Sequence, residues 1–342
     1  MSDELRQTAA ALVADGKGIL AADESNGTMN KRLKAAGVEP EEENRRALRE
    51  LLFTTEGAAE HISGVILYDE TFRQSTADGT PFPQLLRDQG VVPGIKVDTG
   101  AKPLAGAEDE KVTEGLDGLR ERLAEYYESG ARFAKWRAVI AIDDSLPSRY
   151  CIHVNAHALA RYAALCQEAG IVPIVEPEVL MDGHHTIDRS EEVTGATLAA
   201  VFAELREQRV LLEGILLKPN MVLAGYECSE QPGDDEVAVR TLRCLRRHVP
   251  AAVPGIVFLS GGQSDEDATT RLNLMNQIGP QPWQVSFSYG RGLQAAALAT
   301  WHGERDKVPA AQAQYLHRAR CTGAARRGEY SEEMEGELVG AS

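Results

Sequence analysis

The hydrophobic positions of this chain fall into short runs, each ending at a polar residue or a glycine. Eight such runs are rich in Val, Ile and Leu and are too short for helices, which is typical of strands buried on both faces. The runs cover residues 18–23, 62–68, 93–98, 133–140, 171–179, 214–222, 255–262 and 283–291.

Amphipathic segments separate these predicted strands. Apolar residues at helical spacing predict helices over 112–129, 153–169, 190–208, 234–248 and 264–277. Two of them are followed by Gly130 and Gly170, and glycine often ends a helix. Alternating strands and helices predict an α/β fold with a parallel sheet, and eight repeats favour a (β/α)8 TIM barrel. The alternative is a doubly wound sheet with an added helical domain.

Nothing in the composition divides the 342 residues into separate domains. We therefore predict one barrel domain over residues 1–322, with a helical extension at its N-terminal end. Residues 323–342 are rich in Gly, Glu and Arg and contain few apolar side chains. A segment this polar is not expected to bury enough surface to order itself, so the sequence predicts a mobile tail.

The chain is acidic, with 52 acidic and 36 basic residues and a formal net charge of −16. Such a chain binds nucleic acid poorly, and an anionic substrate would need a locally positive pocket. The apolar runs are shorter than a membrane span, the N-terminus has no signal-peptide pattern, and the five cysteines form no CxxC pair. We therefore expect a cytoplasmic protein with reduced thiols and with neither nucleic-acid nor membrane partners.

Ionisable side chains cluster where the predicted strands end, which is where barrels of this kind carry their chemistry. Residues two apart on a strand share a face, so Lys135 and Arg137 point to one side, and so do Glu176 and Glu178. Asp23 ends the first strand. Because charges are not buried without partners or purpose, we expect these groups to converge in one active site.

Basic residues at the strand ends would form a positive pocket in this negative protein: Lys96, Lys135, Arg137, Lys218 and Arg291. Two glycine-rich turns, 260–262 and 290–292, each lead into a predicted helix. Exposed amide groups and helix N-termini bind phosphate, and the loops after the last two strands are its usual place in such barrels. The pocket is therefore predicted to take a phosphorylated substrate.

Lys218 lies in an apolar strand just before Pro219, and its position allows two interpretations. It is either a structural lysine held in an ion pair or a nucleophile for Schiff-base chemistry on a carbonyl, with Lys135 as the neighbouring cation. The sequence has no HExxH motif, and its one adjacent histidine pair, His184-His185, lies in a predicted loop. We therefore predict no metal ligands in the site.

Several strings around these residues resemble the class I fructose-bisphosphate aldolases, in the same order from about residue 4 to about residue 305. The resemblance implies a TIM barrel that reversibly cleaves fructose 1,6-bisphosphate to dihydroxyacetone phosphate and glyceraldehyde 3-phosphate. It also implies a homotetramer and no metal or other cofactor. The strings are GILAADES (18–25), GIKVDTG (94–100), FAKWR (133–137), IVEPEVLMDG (174–183), LLKPNMV (216–222), LSGGQS (259–264) and FSYGRGLQ (287–294).

The same resemblance assigns roles to individual residues. Lys218 resembles the Schiff-base lysine, and Glu176 resembles the general acid–base, with Glu178 beside it. Asp23 resembles the aspartate that works at the cleaved bond, and Lys135 resembles the second active-site lysine. The expected C1-phosphate contacts are Ser260, Gly261, Gly262, Ser288, Gly290 and Arg291. The family's other phosphate contacts fall at Ser25, Thr28, Arg32, Lys96 and Arg137.

The chain also departs from the family pattern. Thr28 stands where serine is common, and Thr99 replaces a common lysine. The tail ends at Ser342, whereas the animal members end in tyrosine, so we expect a tail without a catalytic part, with Tyr330 as the alternative ring. Two other functions stay open. One is a transaldolase-like or deoxyribose-phosphate-like Schiff-base lyase, which would need a single phosphate site. The other is a non-catalytic scaffold, which the presence of Lys218 disfavours.

Overall fold

Eight parallel strands close into a barrel at the centre of the computed structural model, which describes residues 2–336. The order around the barrel is β1-β10-β9-β8-β7-β6-β3-β2, and a two-stranded hairpin, β4-β5, lies outside it. The predicted (β/α)8 fold is therefore confirmed. The barrel strands are β1 Gly18–Ala22, β2 Ile62–Leu67, β3 Val92–Lys96, β6 Phe133–Ile140, β7 Val172–Val179, β8 Leu216–Leu217, β9 Gly255–Phe258 and β10 Gln284–Tyr289, and the hairpin is β4 Gly100–Pro103 and β5 Lys111–Glu114.

Helices surround the barrel, and one of them precedes its first strand. Three short 3-10 turns, 58–60, 212–214 and 305–307, occur in the connections, and a fourth spans 332–336. The α-helices are α1 Ser2–Leu12, α2 Asn26–Ala35, α3 Glu42–Phe53, α4 Asp69–Phe72, α5 Phe82–Asp88, α6 Leu119–Glu128, α7 Arg149–Glu168, α8 Ile187–Glu207, α9 Asp234–His248, α10 Asp265–Gln277, α11 Arg291–Trp301 and α12 Val308–Arg327.

The barrel interior changes from apolar to ionic along the strands. Phe133, Ile174 and Leu216 belong to a buried apolar cluster to which α1 contributes Leu5 and Leu12. Side chains two positions further on share their face, and these are Lys135, Glu176 and Lys218. The apolar layer and α1 therefore exclude water from one end of the barrel and leave the ionisable groups at the other end.

Side chains between these ionisable groups point outward, as the alternation predicts. Trp136 is fully buried, and its ring centroid lies 5.5 Å from that of Tyr162 in α7. Trp136 therefore faces the helices, and its neighbours Lys135 and Arg137 point to the opposite face of the strand, the barrel interior.

The predicted helix over 112–129 is wrong in its first part. Residues Lys111–Glu114 form β5, which pairs antiparallel with β4. Gly115 and Gly118 then adopt positive φ angles of 130° and 63°, and α6 begins at Leu119. The periodicity missed this break because alternation over four residues and one helical turn place apolar side chains at similar intervals.

The predicted strand over 214–222 is much shorter, because only Leu216–Leu217 forms a strand. Pro219 has no amide hydrogen to continue the ladder. The amide of Lys218 still donates to the carbonyl oxygen of Val175 at 2.8 Å, so Lys218 keeps its strand-like direction. The predicted start of the helix after 264 is confirmed, since the Ser264 hydroxyl caps α10 by accepting from the amide of Asp267.

The boundary predicted at residue 323 falls inside α12, which continues to Arg327. The small residues Gly323, Ala324 and Ala325 are buried there, and Tyr330 is only 7% exposed. The buried Arg326 guanidinium contacts the Val13 carbonyl oxygen and the side chain of Gln284. Composition therefore misjudged residues 323–336, because small residues pack closely and arginine can be buried with acceptors. The rest of the predicted tail, 337–342, lies outside the described residues.

Across residues 2–336, each helix lacks either the length or the apolar composition needed to cross a membrane.

Candidate active site

A cavity of about 470 Å³ opens at the carboxyl ends of the barrel strands. Fourteen of the sixteen predicted site residues line it, and the other two, Glu176 and Gly262, contact residues that do. The predicted residues come from seven of the eight barrel strands or their following loops, and Tyr68, which follows β2, also lines the cavity. The lining residues from the prediction are Asp23, Ser25, Thr28, Arg32, Lys96, Lys135, Arg137, Glu178, Lys218, Ser260, Gly261, Ser288, Gly290 and Arg291.

Four buried ionisable groups form a chain of ion pairs at the bottom of this cavity. The Lys218 ammonium lies 3.3 Å from Glu176 Oε1, and the Lys135 ammonium lies 3.3 Å from Glu176 Oε2. Lys135 also contacts Asp23 Oδ2 at 2.7 Å. Each of the four residues is less than 9% exposed. Two lysines therefore share two carboxylates in a site from which most water is excluded.

Attraction between the two lysines and the two carboxylates holds both carboxyl groups in their ionised form. Burial alone would raise the pKa of Asp23, but Lys135 and Lys218 together lower it to about 2. Burial alone would also raise the pKa of Glu176, but the same two lysines oppose this effect, and the pKa of Glu176 is lowered as well. Burial disfavours the charged form of Lys135, yet Asp23 and Glu176 outweigh it and raise the pKa of that lysine. Lys135 is thus a permanent cation between two carboxylates.

One end of the cavity presents backbone amides, and we call it the amide end: Ser260, Gly261, Gly262, Ser288, Gly290 and Arg291. Gly261 and Gly262 have positive φ angles of 59° and 98°, a conformation that glycine adopts without strain. A Cβ at Gly261 would lie 1.7 Å from the end of the Met181 side chain, so a larger residue would also require Met181 to move. Within residues 2–336 the amides of Gly261 and Gly262 donate no hydrogen bond, which leaves both free for an anion.

Side chains behind the turn fix its carbonyl groups. The Tyr226 hydroxyl donates to the carbonyl oxygen of Gly261 at 2.9 Å, and the Gln263 amide donates to that of Ser260 at 3.0 Å. Arg271 in turn donates to Gln263 at 2.8 Å. Because the carbonyl groups are held away from the cavity, the turn is preorganised as a donor site.

The rest of the amide end comes from β10 and α11. The Ser288 hydroxyl is buried and has no hydrogen-bond partner in the part of the chain that the structure describes. α11 begins at Arg291, directly after Gly290, so its first amides face the cavity without a side-chain cap. The Arg291 guanidinium lies 3.1 Å from the position of a Cβ on Gly262, against the glycine turn. An unpaired hydroxyl, free amides and a cation therefore meet at one point.

Three cations that line the cavity already have carboxylate partners, and we call them the paired-cation end: Lys96 and Arg137, from β3 and β6 across the barrel from β9 and β10, and Arg32 of α2. Lys96 contacts Asp98 Oδ1 at 2.6 Å. Arg137 pairs with Glu178 through its Nε, and Arg32 pairs with Glu24. Glu178 therefore differs from Glu176 in its partner: Glu178 pairs with Arg137 at the cavity wall, whereas Glu176 contacts the two lysines.

Ser25 and Thr28 meet at the beginning of α2. Ser25 is the N-cap residue of this helix, and its hydroxyl accepts from the Thr28 amide at 3.5 Å. The two hydroxyl groups lie 3.3 Å apart and line the cavity. The threonine that replaces the common serine keeps a hydroxyl at this helix N-terminus, where an anion is favoured.

The sequence analysis missed two residues behind Arg32. Glu24 accepts from Arg32 through Oε1 and from the buried Arg49 through Oε2 at 2.7 Å. Gln294 of α11 also donates to Glu24 Oε1, at 3.0 Å. Glu24 lies in the GILAADES string and could have been noticed there, whereas Arg49 is one of several arginines in a charged helix and carries no such signal.

Two histidines at helical spacing, His153 and His157, also went unnoticed in the sequence. His153 and His157 lie one turn apart on α7, and their Nδ1 atoms are 3.7 Å and 3.0 Å from the Glu204 carboxylate. Both side chains are more than half exposed and face away from the cavity residues. This exposed cluster does not bear on the site, and the prediction that the site itself has no metal ligands stays a prediction.

Comparison with known proteins identifies the family to which this chain belongs. Residues 4–342 match the family model described as fructose-bisphosphate aldolase class-I. A probable fructose-bisphosphate aldolase class 1 from Xylella fastidiosa is 58% identical over 96% of this chain and 98% of its own length. A fructose-bisphosphate aldolase from Dictyostelium discoideum is 55% identical over 97% of this chain and 94% of its own length.

The fold agrees with this match. A crystal structure of the fructose-bisphosphate aldolase from Plasmodium falciparum superimposes with a TM-score of 0.95 at 50% identity and covers 96% of both chains. The resemblance that the motifs suggested is therefore confirmed over nearly the whole sequence. This chain belongs to the class I fructose-bisphosphate aldolase family.

Proposed function

We propose that this protein reversibly cleaves fructose 1,6-bisphosphate to dihydroxyacetone phosphate and glyceraldehyde 3-phosphate through a Schiff base on Lys218. The observation that carries the proposal is the buried chain Lys218–Glu176–Lys135–Asp23, which places an amine, two bases and a fixed cation within ion-pair distance. A structural lysine would need one partner, whereas this arrangement supplies every proton-transfer group that imine chemistry requires.

Imine formation begins when the Lys218 amine attacks the C2 carbonyl of the substrate. Glu176 lies 3.3 Å from Lys218 and can take the proton that the amine must lose. After the attack a second proton passes from the nitrogen to the alkoxide oxygen, which gives the carbinolamine. Glu176 then returns the first proton to this hydroxyl, the hydroxyl leaves as water, and a protonated imine remains. Apolar strands and α1 behind Lys218 exclude bulk water, which would otherwise hydrolyse the imine.

Bond cleavage uses the ionised Asp23 as the proton acceptor. Asp23 removes the proton of the C4 hydroxyl, the C3–C4 bond breaks, and its electron pair passes into the protonated imine to give an enamine. C4 leaves as the aldehyde of glyceraldehyde 3-phosphate. Because the pKa of Asp23 is about 2, this carboxyl group is available as a base throughout the neutral range.

The enamine is then protonated at C3, and hydrolysis of the imine releases dihydroxyacetone phosphate and frees the Lys218 amine. Lys135 stays charged in every step, since its two carboxylate partners stabilise the ammonium form. It therefore keeps Asp23 and Glu176 ionised and offsets negative charge that develops at the substrate oxygens.

The two ends of the cavity support two phosphate sites, which the single-phosphate lyases do not need. The C1 phosphate is assigned to the amide end, where free amides, Ser288 and Arg291 converge. The second phosphate is assigned to the paired-cation end, with Ser25 and Thr28 at the nearby start of α2. Glu178 then acts on Arg137 rather than on the imine.

The remaining expectations are part of the same proposal. Membership of the family supports a homotetramer, a cytoplasmic location in glycolysis or gluconeogenesis, and catalysis without metal. The continuous packing of α12 against α10 and α11 supports one barrel domain that includes residues beyond 322. Light scattering coupled to size exclusion measures the oligomeric state directly, and a mass other than that of four chains would contradict the tetramer.

Borohydride trapping tests the Schiff base. Borohydride added with dihydroxyacetone phosphate reduces the imine irreversibly, so one stable adduct per chain is expected, mapped by peptide mass to Lys218. The Lys218→Ala variant should show no adduct, and its cleavage activity should fall by more than about 10³-fold. Lys102→Ala removes an exposed lysine of β4 and is the matched control.

The same preparation tests metal independence. Cleavage and trapping are both expected to persist in excess EDTA, because the proposed chemistry uses only amine and carboxyl groups. Loss of borohydride trapping on chelation with recovery on added zinc, or an adduct mapped to Lys135 or Lys96, would overturn the assignment of Lys218.

A further inference from the structure

A second cluster of ionisable side chains lies near the C-terminal end, away from the cavity residues. His317 and Cys321 are one turn apart on α12, and Glu335 returns to them from the 3-10 turn after the helix. Cys321 Sγ lies 3.7 Å from His317 Nε2, which in turn lies 3.5 Å from Glu335 Oε2. All three donor atoms lie within 4.8 Å of one another.

The separations of these atoms are compatible with coordination to a common ion, and the sulfur and the imidazole nitrogen are also within hydrogen-bond distance of each other. The nitrogen-to-oxygen distance of 3.5 Å exceeds the usual hydrogen-bond range of about 2.7–3.2 Å. A triangle with these sides has a central point no more than about 2.4 Å from every donor. Zinc binds sulfur, nitrogen and oxygen ligands at about 2.0–2.3 Å, so small movements would complete the site.

We propose that His317, Cys321 and Glu335 form a structural zinc site in this protein. A thiolate, an imidazole and a carboxylate are the donor types that zinc accepts together, and a mixed sulfur and nitrogen set disfavours magnesium and calcium. Three protein ligands leave the fourth position of the tetrahedron to water. On binding, Zn²⁺ replaces the proton of the Cys321 thiol, and that proton is released to solvent.

The surroundings of Glu335 match those of a metal-ligating carboxylate. The Tyr330 hydroxyl donates to Glu335 Oε1 at 2.8 Å, and the Arg318 guanidinium pairs with Oε2. Ligating carboxylates are commonly held by such outer hydrogen bonds, which fix their direction. The charge of Arg318 opposes a cation, but the Cys321 thiolate and the Glu335 carboxylate together outweigh it.

Burial sets the site apart from an ordinary polar surface. Cys321 is 1% exposed and His317 8% exposed, while the Glu335 side chain is 21% exposed and gives an ion its path from solvent. The exposed cluster of His153, His157 and Glu204 has the same helical spacing but no thiol and no burial, so it is the natural control.

The proposed role of the ion is to fasten residues 329–336 onto the helices beneath them. The Tyr330 amide already donates to Asn273 of α10 at 3.0 Å, and Arg318 donates to Thr269 of the same helix at 2.9 Å. α10 begins just after the glycine turn of the amide end. Zinc would therefore stabilise the chain end against the helix that supports this turn, without contacting the substrate.

Cobalt is the probe for the test, because it replaces zinc in tetrahedral sites and absorbs visibly. Full-length protein is treated with chelator, desalted and titrated with Co²⁺. We expect one equivalent per chain, tetrahedral d–d bands, and a near-ultraviolet band from thiolate-to-cobalt charge transfer, all removed by added Zn²⁺. Zinc should also raise the melting temperature of this preparation, while borohydride trapping at Lys218 stays unchanged.

Two variants test the ligands and one serves as control. Cys321→Ser should abolish the charge-transfer band, and Glu335→Gln should weaken Co²⁺ binding by about tenfold or more. His157→Gln should change neither. If Cys321→Ser is poorly folded, the Glu335→Gln result decides, because it leaves the thiol and the helix intact. Absence of a charge-transfer band in the unaltered protein, or binding lost in His157→Gln instead, would overturn the proposal.

Discussion

The two ends of the cavity are built to hold the same kind of group by different means. The amide end offers free backbone amides, the unpaired Ser288 hydroxyl and one arginine, and its turn is held by Tyr226 from behind. The paired-cation end offers three cations, each already neutralised by a carboxylate. This difference shows that the number of positive charges alone does not determine which of two sites binds phosphate more strongly.

The reason lies in what each group must give up. When an anion binds, free amides and a buried hydroxyl gain a charged partner and give up only water. A paired lysine must share its charge between the phosphate and its carboxylate, and that carboxylate repels the phosphate. We therefore expect the amide end to contribute more to the binding of sugar phosphates, although it contains fewer cations.

Lys135→Met should have the largest effect, since Lys135 contacts both Asp23 and Glu176 and serves both sugars alike. We expect cleavage to fall by about 10²- to 10³-fold, as for other lost charge-stabilising groups. Without this lysine, burial dominates and the pKa values of Asp23 and Glu176 rise. The acid limb of the trapping rate should therefore move to higher pH, which a pH series measures. An unchanged limb would show that Lys135 does not control these carboxyl groups.

Arg291→Ala and Lys96→Ala should separate the two ends. Charge-assisted contacts contribute about 1.5–3 kcal/mol. Arg291→Ala should therefore lower kcat/KM by about tenfold or more, and equally for fructose 1,6-bisphosphate and fructose 1-phosphate. Lys96→Ala should lower kcat/KM mainly for the bisphosphate, so the ratio of the two kcat/KM values should shift by about tenfold.

The double variant Lys96→Ala/Asp98→Asn sharpens this test. Lys96→Ala leaves the Asp98 carboxylate without its cation, and part of the loss is then repulsion rather than a missing contact. Neutralising Asp98 should recover part of the bisphosphate activity. Equal effects of Arg291→Ala and Lys96→Ala on both sugars would mean that the second phosphate has been placed at the wrong end.

Tyr226→Phe should have a moderate effect confined to the amide end. It removes one hydrogen bond to the Gly261 carbonyl, worth about 0.5–1.5 kcal/mol, and loosens the turn. The KM of both sugars should rise by about two- to tenfold with little change in kcat, and the ratio of their kcat/KM values should stay the same. Tyr150→Phe is the matched control, because that half-exposed hydroxyl also faces a backbone carbonyl, of Ala105. A change in the sugar ratio would contradict the role of Tyr226.

Tyr330→Phe should have the smallest effect on catalysis. Tyr330 is buried against Glu335 and does not line the cavity, so turnover should stay within about twofold, under about 0.5 kcal/mol in the barrier. The melting temperature should fall slightly because a hydrogen bond is lost. A tenfold loss of turnover with intact trapping at Lys218 would instead make Tyr330 the ring that acts after imine formation.

Local patterns predicted much of the fold and the site, for a reason that particular residues make clear. The two-residue period of a strand places Lys135 beyond Phe133 and Glu176 beyond Ile174 on one face, and both positions can be read directly. Ser264 is a helix N-cap for equally local reasons. Where two periods look alike over a few residues, as at Lys111–Glu114, the sequence was misread.

Partners distant along the chain could not be predicted in this way. Nothing near Glu24 in the sequence indicates that Arg49 is its buried partner, and nothing near Gly261 indicates Tyr226. The burial of Arg326 and Tyr330 likewise depends on acceptors and apolar surface supplied by β10 and α10. The composition of a segment gives its own residues but not the residues of other elements that it contacts in the folded chain.

The amino-acid sequence by itself determined the barrel, its family and the set of groups in the cavity, because strand alternation and the motifs at strand ends are local. Only the tertiary structure decided which charges are already paired. Lys96 and Arg291 look equivalent in the sequence, yet one contacts a carboxylate at 2.6 Å and the other lies against a glycine turn. That distinction arises from chain closure around the barrel, which sets the distances between groups and hence the strength of every electrostatic interaction in the site.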